Sequence, residues 1–300
     1  MRFSGWRCLH LGTLSLCSLM EFLLGHSPDP DDAFMFYALA QHKIDTKGHR
    51  FEHILQDIET LNQRALRGEL HISAVSIHAY AYLADRYALL PSGASMGDGY
   101  GPILVTLEEP PRNPERIRDW LQTKRIAIPG AKTSAYLALR LFAGNVTTVT
   151  IPFDQIFSSV KEGKADVGLI IHEGQITYAG EGFRLAADLG EWWKSLTGLP
   201  LPLGGNVIRK DIPREIQKEV SEILKQSIDY GLKHRSAGVE HSMPLARGLD
   251  REGADRFIGM YVNDFTRDYG PVGKRAIEEF LQRAALKDLI PGNIQPEFVE

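Results

Sequence analysis

His172 is the residue in this sequence best suited to moving a proton. It follows an apolar run, Val167 to Ile171, interrupted only by Gly168, which indicates a buried strand that ends on the histidine. The unperturbed pKa of histidine is near neutral, so its ring can accept and return a proton at cellular pH. Ligands of open α/β sheets bind at the carboxyl ends of strands, which makes His172 a candidate general base. A purely structural strand end is the alternative, and the sequence leaves both interpretations open.

Hydroxyl side chains follow two other predicted strands. Thr133 and Ser134 come after "KRIAIPG" and open a strongly apolar helix, and Ser76 ends the strand "LHISAVS". Such residues commonly cap a helix by accepting a hydrogen bond from a backbone N–H group. A helix start also offers free N–H groups to an anion such as a carboxylate. The sequence therefore predicts capping, anion binding or both at these positions.

Other kinds of site are not expected. The glycines of "SGASMGDGYGP" lack the G-x-G-x-x-G spacing of a dinucleotide site. His49 and His53 are four residues apart but lack the H-E-x-x-H arrangement of a zinc site. The sequence contains no G-x-S-x-G nucleophile elbow, and both cysteines lie in the first 20 residues, before the predicted fold. We therefore expect chemistry without a metal, nucleotide or redox cofactor.

The composition is that of an ordinary globular protein. Of 300 residues, 43% are hydrophobic and 24% are charged, with a formal net charge of −4. There is no basic block of the kind that follows a phosphate backbone, so we expect no nucleic-acid partner. The 2 cysteines cannot form a disulfide framework throughout the chain, which fits a reducing cytosol. We expect a cytoplasmic monomer or homodimer that acts on a small molecule away from the membrane.

The first 19 residues differ in pattern from the rest. Arg2 and Arg7 precede a mildly apolar stretch that resembles a weak secretory signal, but Gly12 and several hydroxyl residues interrupt it. The stretch is also too short and too polar to span a bilayer. Because a clean strand begins at Met20, we expect residues 1–19 to be an N-terminal extension outside the fold. Translated upstream sequence is the favoured origin, and a cleaved signal or a disordered arm are the alternatives.

Strand-like and helix-like segments alternate along the chain, which predicts an α/β fold with mainly parallel sheets and helices on both faces. Two extended segments, "GPILVTL" and "LPLGGNVIRK", bracket the central part of the chain. We therefore predict two lobes: residues 20–104 with 204–300 form a large lobe, and residues 105–203 form a small inserted lobe. The extended segments are then two crossing strands that act as a hinge, beside a cleft suited to a small ligand.

Five longer blocks are distinctive: "GHSPDPDDAFMFYALA", "DIETLNQRALRGELHISAVSIHAYAYL", "SGASMGDGYGPILV", "IAIPGAKTSAYLAL" and "DVGLIIHEGQITY". Together they resemble the 1,4-dihydroxy-6-naphthoate synthase family of menaquinone biosynthesis, from Met20 to the C-terminus. The resemblance implies a two-lobed fold like that of type II periplasmic binding proteins. It also implies a lyase of the futalosine pathway. Its small carboxylate substrate is cyclic dehypoxanthinyl futalosine, and its products are 1,4-dihydroxy-6-naphthoate and a three-carbon fragment, dihydroxyacetone.

The resemblance also implies roles for individual residues. The histidine of the "IHE" segment, here His172, is the implied general base. Substrate contacts are implied at five positions of the "AVS" and "KTS" segments: Ala74, Val75, Ser76, Thr133 and Ser134. Members of the family often have "TT" where this chain has "TS", and a hydroxyl group remains. We assign Glu173 no catalytic role, since successive strand residues point to opposite faces of a sheet.

Two other functions are compatible with the same fold. Chorismate dehydratase belongs to the same pathway, but its family lacks the "IHE" segment, so His172 argues against it. A solute-binding protein of a transporter would bind its ligand without turnover. It would also need export, for which the N-terminal stretch is not a convincing signal.

A variant that begins at Met20 tests the prediction for the N-terminal extension. If residues 1–19 lie outside the fold, this variant should fold and bind ligand as the full chain does. The measurement is the midpoint of thermal unfolding of both proteins. A midpoint lowered by more than about 5 °C would contradict the prediction, because such a shift is on the order of a kcal/mol or more for a chain of this size.

Overall fold

Two β-sheets organise the part of the chain that this computed structural model describes, residues 19–300. The predicted N-terminal extension, apart from Leu19, lies outside the described residues. The strands are β1 (Glu21–His26), β2 (Arg50–Leu55), β3 (Ile72–Ser76), β4 (Tyr87–Leu89), β5 (Ser95–Gly97), β6 (Ile103–Thr106), β7 (Arg125–Ile128), β8 (Thr147–Thr150), β9 (Val167–Ile170), β10 (Arg184–Asp188) and β11 (Leu201–Arg209).

Helices cover the sheets, as the sequence predicts, and form most of the C-terminal third. They are α1 (Pro30–Met35), α2 (Tyr37–Ala40), α3 (Ile58–Leu66), α4 (Ile77–Tyr80), α5 (Pro114–Leu121), α6 (Ser134–Ala143), α7 (Ile156–Lys161), α8 (Gly174–Thr177), α9 (Leu189–Thr197), α10 (Arg214–Lys233), α11 (Arg235–Ser242), α12 (Arg251–Tyr261), α13 (Asp264–Arg267) and α14 (Gly270–Leu286). Between residues 19 and 300, none of these helices is both long and apolar enough to cross a membrane.

Both sheets mix parallel and antiparallel strands. The first has the order β2-β1-β3-β11-β4, with β5 also paired to β11, and the second has the order β10-β6-β9-β7-β8. The neighbours of β1 and of β7 run parallel to them, as the alternating sequence pattern predicts. The neighbours of β11 and of β6 run antiparallel to them. The sheets are therefore mixed rather than mainly parallel, and every antiparallel pair involves β6 or β11, the strands with which the chain enters each sheet from the other.

The chain passes from the first sheet to the second before β6 and returns before β11. The boundary predicted at Leu104 falls inside β6, which pairs only with strands of the second sheet among the described strands. The boundary predicted at 203–204 falls inside β11, which belongs to the first sheet. The division into lobes stays a prediction. Below, residues 19–101 with 201–300 are called the first-sheet part, and residues 102–200 the second-sheet part.

The position of His172 differs from the sequence prediction. Strand β9 ends at Ile170, so His172 lies two residues beyond it, in the turn before α8. Ile170 pairs with Ile103 of β6. The next partner along would be Pro102, which has no N–H group with which to continue the ladder. The strand therefore stops before the histidine, and the histidine belongs to a turn.

Three further elements differ from the sequence prediction. Helix α4 covers a single turn, although the pattern "IHAYAYLADRY" predicts a longer helix. The sequence pattern does not single out β2, because this edge strand is half exposed and carries charged residues between its apolar ones. Nor does it single out α5, although Asn113 caps that helix by accepting hydrogen bonds from the N–H groups of Glu115 and Arg116.

Phe34 fixes the position of α1. Its fully buried ring packs against glycines of two C-terminal helices, Gly231 of α10 and Gly238 of α11. A Cβ atom added at Gly238 would lie 2.6 Å from Cε2 of Phe34, closer than two carbon atoms can approach. The absence of a side chain at Gly238 therefore lets α1 seat against α11, together with the aspartates at its N-terminus.

Gly238→Ala tests this contact. Inserting a methyl group into a packed core typically costs about 1–3 kcal/mol, so the midpoint of thermal unfolding should fall. Gly259→Ala is the matched control, because Gly259 is also inside a helix but is exposed, and its nearest atom is the flexible tip of Arg235. The control should be neutral or stabilising, since alanine favours helix over glycine by about 1 kcal/mol. Equal midpoints for the two variants would contradict the packing argument.

Candidate active site

A cleft is lined by residues of both the first-sheet part and the second-sheet part. It encloses about 760 Å³ of empty space, its open mouth included. The five residues predicted to contact substrate all line it: Ala74, Val75, Ser76, Thr133 and Ser134. The structure thus brings the "AVS" and "KTS" segments together, and their contact with a substrate stays a prediction.

Ser76 is held by a side chain that the sequence analysis missed. Its backbone N–H donates to Oδ1 of Asn62 at 2.9 Å, and Nδ2 of Asn62 donates to Oγ of Ser76 at 3.1 Å. Ser76 precedes α4, but its side chain makes no capping hydrogen bond. Asn62 is fully buried in α3. Asn62 comes four residues after Ile58 and three before Ala65, a spacing that puts all three on one face of the helix and so indicates an inward-facing polar group.

Thr133 and Ser134 occupy the start of α6 and have different partners. Oγ1 of Thr133 accepts a hydrogen bond from the N–H of Tyr136 at 3.2 Å and donates to the carbonyl of Gly130 at 2.9 Å. Thr133 is therefore the N-cap of the helix. Oγ of Ser134 accepts from the backbone N–H of His78 at 3.2 Å, which links the two parts of the protein.

His172 lies beside the cleft rather than in its wall. It lines a smaller adjoining cavity, which shares Asp29, Ile58 and Ile171 with the cleft. Nδ1 of the ring accepts a hydrogen bond from the N–H of Gly174 at 3.0 Å. The carbonyl of Phe153, 3.1 Å from Nε2, must then accept the proton of a neutral ring. Both ring nitrogens are therefore engaged inside the protein in this conformation.

The glycine that follows the "IHE" segment has a steric role. A Cβ atom added at Gly174 would lie 2.8 Å from Cε1 of His172 and 3.0 Å from the ring of Phe157. The imidazole folds back over this glycine and lies edge-on to Phe153 and Phe157. Burial in these surroundings lowers the pKa of His172 below its ordinary value, so the ring is neutral at neutral pH. A neutral ring is the form that can accept a proton.

Three carboxyl groups that follow β1 in the chain also belong to the cleft. Asp29, Asp31 and Asp32 all line it, and Oδ2 of Asp32 accepts the N–H of Ser27 at 2.6 Å. Burial raises the pKa of Asp32 to about 7, and burial together with the neighbouring carboxylates raises the pKa of Asp31 well above its ordinary value. None of these three carboxyl groups is among the site residues predicted from the sequence.

A buried hydrogen bond between side chains also joins the two parts across the cleft. The hydroxyl of Tyr261, in α12, donates to Oε1 of Gln175, in α8, at 2.5 Å. Both side chains line the cleft. Burial raises the pKa of Tyr261 well above its ordinary value, which keeps the phenol protonated as a donor.

In residues 19–300, no three His, Cys, Asp or Glu side chains are grouped so that they could hold a metal ion.

Solved structures show the same fold. A crystal structure of a protein from Archaeoglobus fulgidus superposes with a TM-score of 0.85 at 43% sequence identity, over 90% of this chain and 98% of that one. The alkanesulfonate-binding protein from Xanthomonas axonopodis pv. citri, bound to MOPS, has a TM-score of 0.67 at 12% identity, over 91% of this chain and 95% of that one. The latter likeness concerns the fold alone, and it confirms the predicted periplasmic-binding-protein-like architecture.

Sequence relatives identify the family. The chain is 37% identical to 1,4-dihydroxy-6-naphthoate synthase of Thermus thermophilus over 281 residues, which cover 93% of this chain and 100% of that protein. A family model described as menaquinone biosynthesis matches residues 22–286. The match extends through both sheets and includes every residue of the cleft described above. The chain therefore belongs to the menaquinone biosynthesis family, as the resemblance of its sequence blocks predicts.

Proposed function

We propose that the protein is a 1,4-dihydroxy-6-naphthoate synthase, a carbon–carbon lyase of the futalosine pathway. Its substrate is cyclic dehypoxanthinyl futalosine, and its products are 1,4-dihydroxy-6-naphthoate and dihydroxyacetone. The proposal rests on the cleft of this chain, which belongs to the menaquinone biosynthesis family. The "AVS" and "KTS" segments both line that cleft, and His172 lies beside it. We place the enzyme in the cytoplasm, as a monomer or homodimer.

The start of α6 suits the carboxylate of the substrate. The first N–H groups of a helix have no acceptor within it and lie at the positive end of the helix dipole. Thr133, Ser134 and Ala135 bring that end of a 10-residue helix into the cleft wall. Because Oγ of Ser134 accepts from His78, the serine hydroxyl still has its own hydrogen to donate to an anion.

His172 supplies the base in this proposal. The lone pair of Nδ1 accepts a hydrogen bond from the N–H of Gly174. This hydrogen bond must break before Nδ1 can take a proton from the substrate. The hydrogen bond from Nε2 to Phe153 holds the matching tautomer, with its proton on Nε2. Removal of a proton then assists cleavage of a carbon–carbon bond, and formation of an aromatic ring drives the reaction thermodynamically.

Turnover separates this function from its alternatives. Purified protein is incubated with cyclic dehypoxanthinyl futalosine, and the naphthoate product is followed by chromatography and mass spectrometry. A solute-binding protein would bind a ligand and leave it unchanged. A chorismate dehydratase would consume chorismate instead. A protein that binds the cyclic compound without forming naphthoate would contradict the proposal.

Replacing both hydroxyl side chains at the start of α6 tests the carboxylate site. Ser134→Ala with Thr133→Val should weaken substrate binding by roughly 1–3 kcal/mol, the range for hydrogen bonds to a charged group. The measurement is the dissociation constant by calorimetry. Loss of the cap alone costs about 0.5–2 kcal/mol of stability, so Asn113→Ala, which removes the cap of α5 outside the cleft, is the matched control. Equal affinities for the double variant and this control would remove the site from the proposal.

His172→Ala tests the general base. The variant should stay folded and bind substrate, while its single-turnover rate falls by about 10²- to 10⁴-fold, the usual contribution of a positioned base. In wild type the rate should decline only toward acid, because the lowered pKa keeps His172 neutral until the pH drops below about 6.5.

His71→Ala is the matched control for that variant. His71 is likewise partly buried with a lowered pKa, and its Nδ1 accepts the N–H of Leu23 at 3.0 Å, away from the cleft. This control should keep the wild-type rate and pH profile. A folded His172→Ala protein with near-wild-type turnover would return the histidine to a structural role.

A further inference from the structure

One arginine holds the turn that carries His172. Arg247 lies between α11 and α12, in the first-sheet part of the chain. Its Nη1 donates to both carboxylate oxygens of Glu173, at 3.2 and 3.3 Å, and to Oδ1 of Asp29 at 2.6 Å. Its Nη2 donates to the carbonyl of Pro28 at 3.0 Å. A single guanidinium thus ties the residue after His172 to the turn after β1.

The Glu173 carboxylate needs this cation. Its side chain is only 5% exposed, whereas that of Arg247 is 30% exposed. A carboxylate buried to that degree is strongly disfavoured as an anion unless a cation and hydrogen-bond donors compensate it. Burial raises the pKa of Glu173, and the charge and hydrogen bonds of Arg247 oppose that rise. Arginine suits this place because its guanidinium stays charged and offers several donors in one plane.

Arg247 also contacts the other neighbour of His172. Its guanidinium carbon lies 4.7 Å from the ring centroid of Phe153, in the geometry of a cation–π contact. The carbonyl of Phe153 is the group that accepts the hydrogen bond from Nε2 of His172. Arg247 therefore touches the residue next to the histidine in sequence and also the residue that fixes its tautomer.

The backbone at this position is held against its preference. Arg247 has a φ of +37°, and Gly248 follows with a φ of +85°. A positive φ is uncommon for a residue with a side chain and persists where the surrounding contacts determine the conformation. The hydrogen bonds to Asp29, Pro28 and Glu173 are contacts of that kind.

We propose that Arg247 is a positioning residue for His172, which clamps the histidine turn of the second-sheet part to the Asp29 turn of the first-sheet part. The inference rests on the proposed role of His172 as the base. Arg247 does not itself line the cleft, so it acts through Glu173 and Phe153. Its positive charge also opposes protonation of His172, which faces the carboxylates of Asp29, Asp154 and Glu173.

The test compares Arg247→Gln, Arg247→Lys and a matched control, Arg251→Gln. Arg251 lies four residues later, is exposed and pairs with Glu240 and Ser236 away from the cleft. In Arg247→Gln the turnover rate should fall by roughly 10- to 100-fold, with the substrate dissociation constant little changed, because small displacements of a reacting group have effects of that size. Arg247→Lys should recover part of the loss, and Arg251→Gln should match wild type.

The pH profile adds a measurement that a loss of folding stability alone would not change. Removing the cation in Arg247→Gln should make His172 easier to protonate, so the acid decline of turnover should move to higher pH. In Arg247→Lys a cation remains, and the decline should stay near that of wild type. Equal losses in both variants with an unmoved profile would overturn the positioning role.

Hydrogen exchange tests the clamp without turnover. The N–H of Gly174 is protected from exchange by its hydrogen bond to His172. The amides of residues 171–178 should therefore exchange faster in Arg247→Gln than in wild type, and at the wild-type rate in Arg251→Gln. Faster exchange in Arg247→Gln would support the clamp, whether or not wild type forms naphthoate. If wild type forms no naphthoate, the proposed function is refuted but the clamp is not. If Arg247→Gln does not fold, Glu173→Gln probes the same pair from the other side. Unchanged exchange and turnover in a folded variant would overturn the proposal.

Discussion

The walls of the cleft belong to different sheets, and polar contacts made across the cleft help to fix their spacing. Ser134 accepts the backbone N–H of His78, and Tyr261 donates to Gln175. These bonds are buried or partly buried, where an unpaired polar group is costly, so they favour one arrangement of the two parts. Ser134, whose hydroxyl we propose contacts the substrate, therefore also helps to hold the walls together.

Burial shifts the ionisable groups around the cleft in opposite directions. It lowers the pKa of His172 and raises the pKa values of Asp31 and Asp32, in each case favouring the neutral form. At neutral pH the histidine can thus accept a proton, Asp31 is protonated, and Asp32, with a pKa of about 7, is partly protonated. A cleft with a neutral histidine at its edge and carboxyl groups of raised pKa in its wall suits a reaction that removes and returns protons.

Local sequence patterns predicted the elements whose signals are local. The start of α6 and the strand at Met20 follow from capping residues and periodicity, and the grouping of "AVS" with "KTS" follows from the family resemblance. The end of β9 does not, because it depends on Pro102, far away in sequence but next to Ile171 in space. The same reason hides Asn62 and Arg247. Each is an ordinary residue in its own segment and gains its role only from a partner brought close by folding. The antiparallel strands β6 and β11 also depend on a long-range path, the passage of the chain between the sheets.

The two hydrogen bonds of the His172 ring have a consequence for selectivity. In this conformation Nδ1 of the imidazole accepts a hydrogen bond from Gly174, so its lone pair is not free to take a proton from another molecule in the cleft. Only a molecule that can compete with a backbone amide for that lone pair, while the ring keeps its bond to Phe153, gains access to it. If His172 is the base, as we propose, Nδ1 itself discriminates between molecules, in addition to the shape of the cleft.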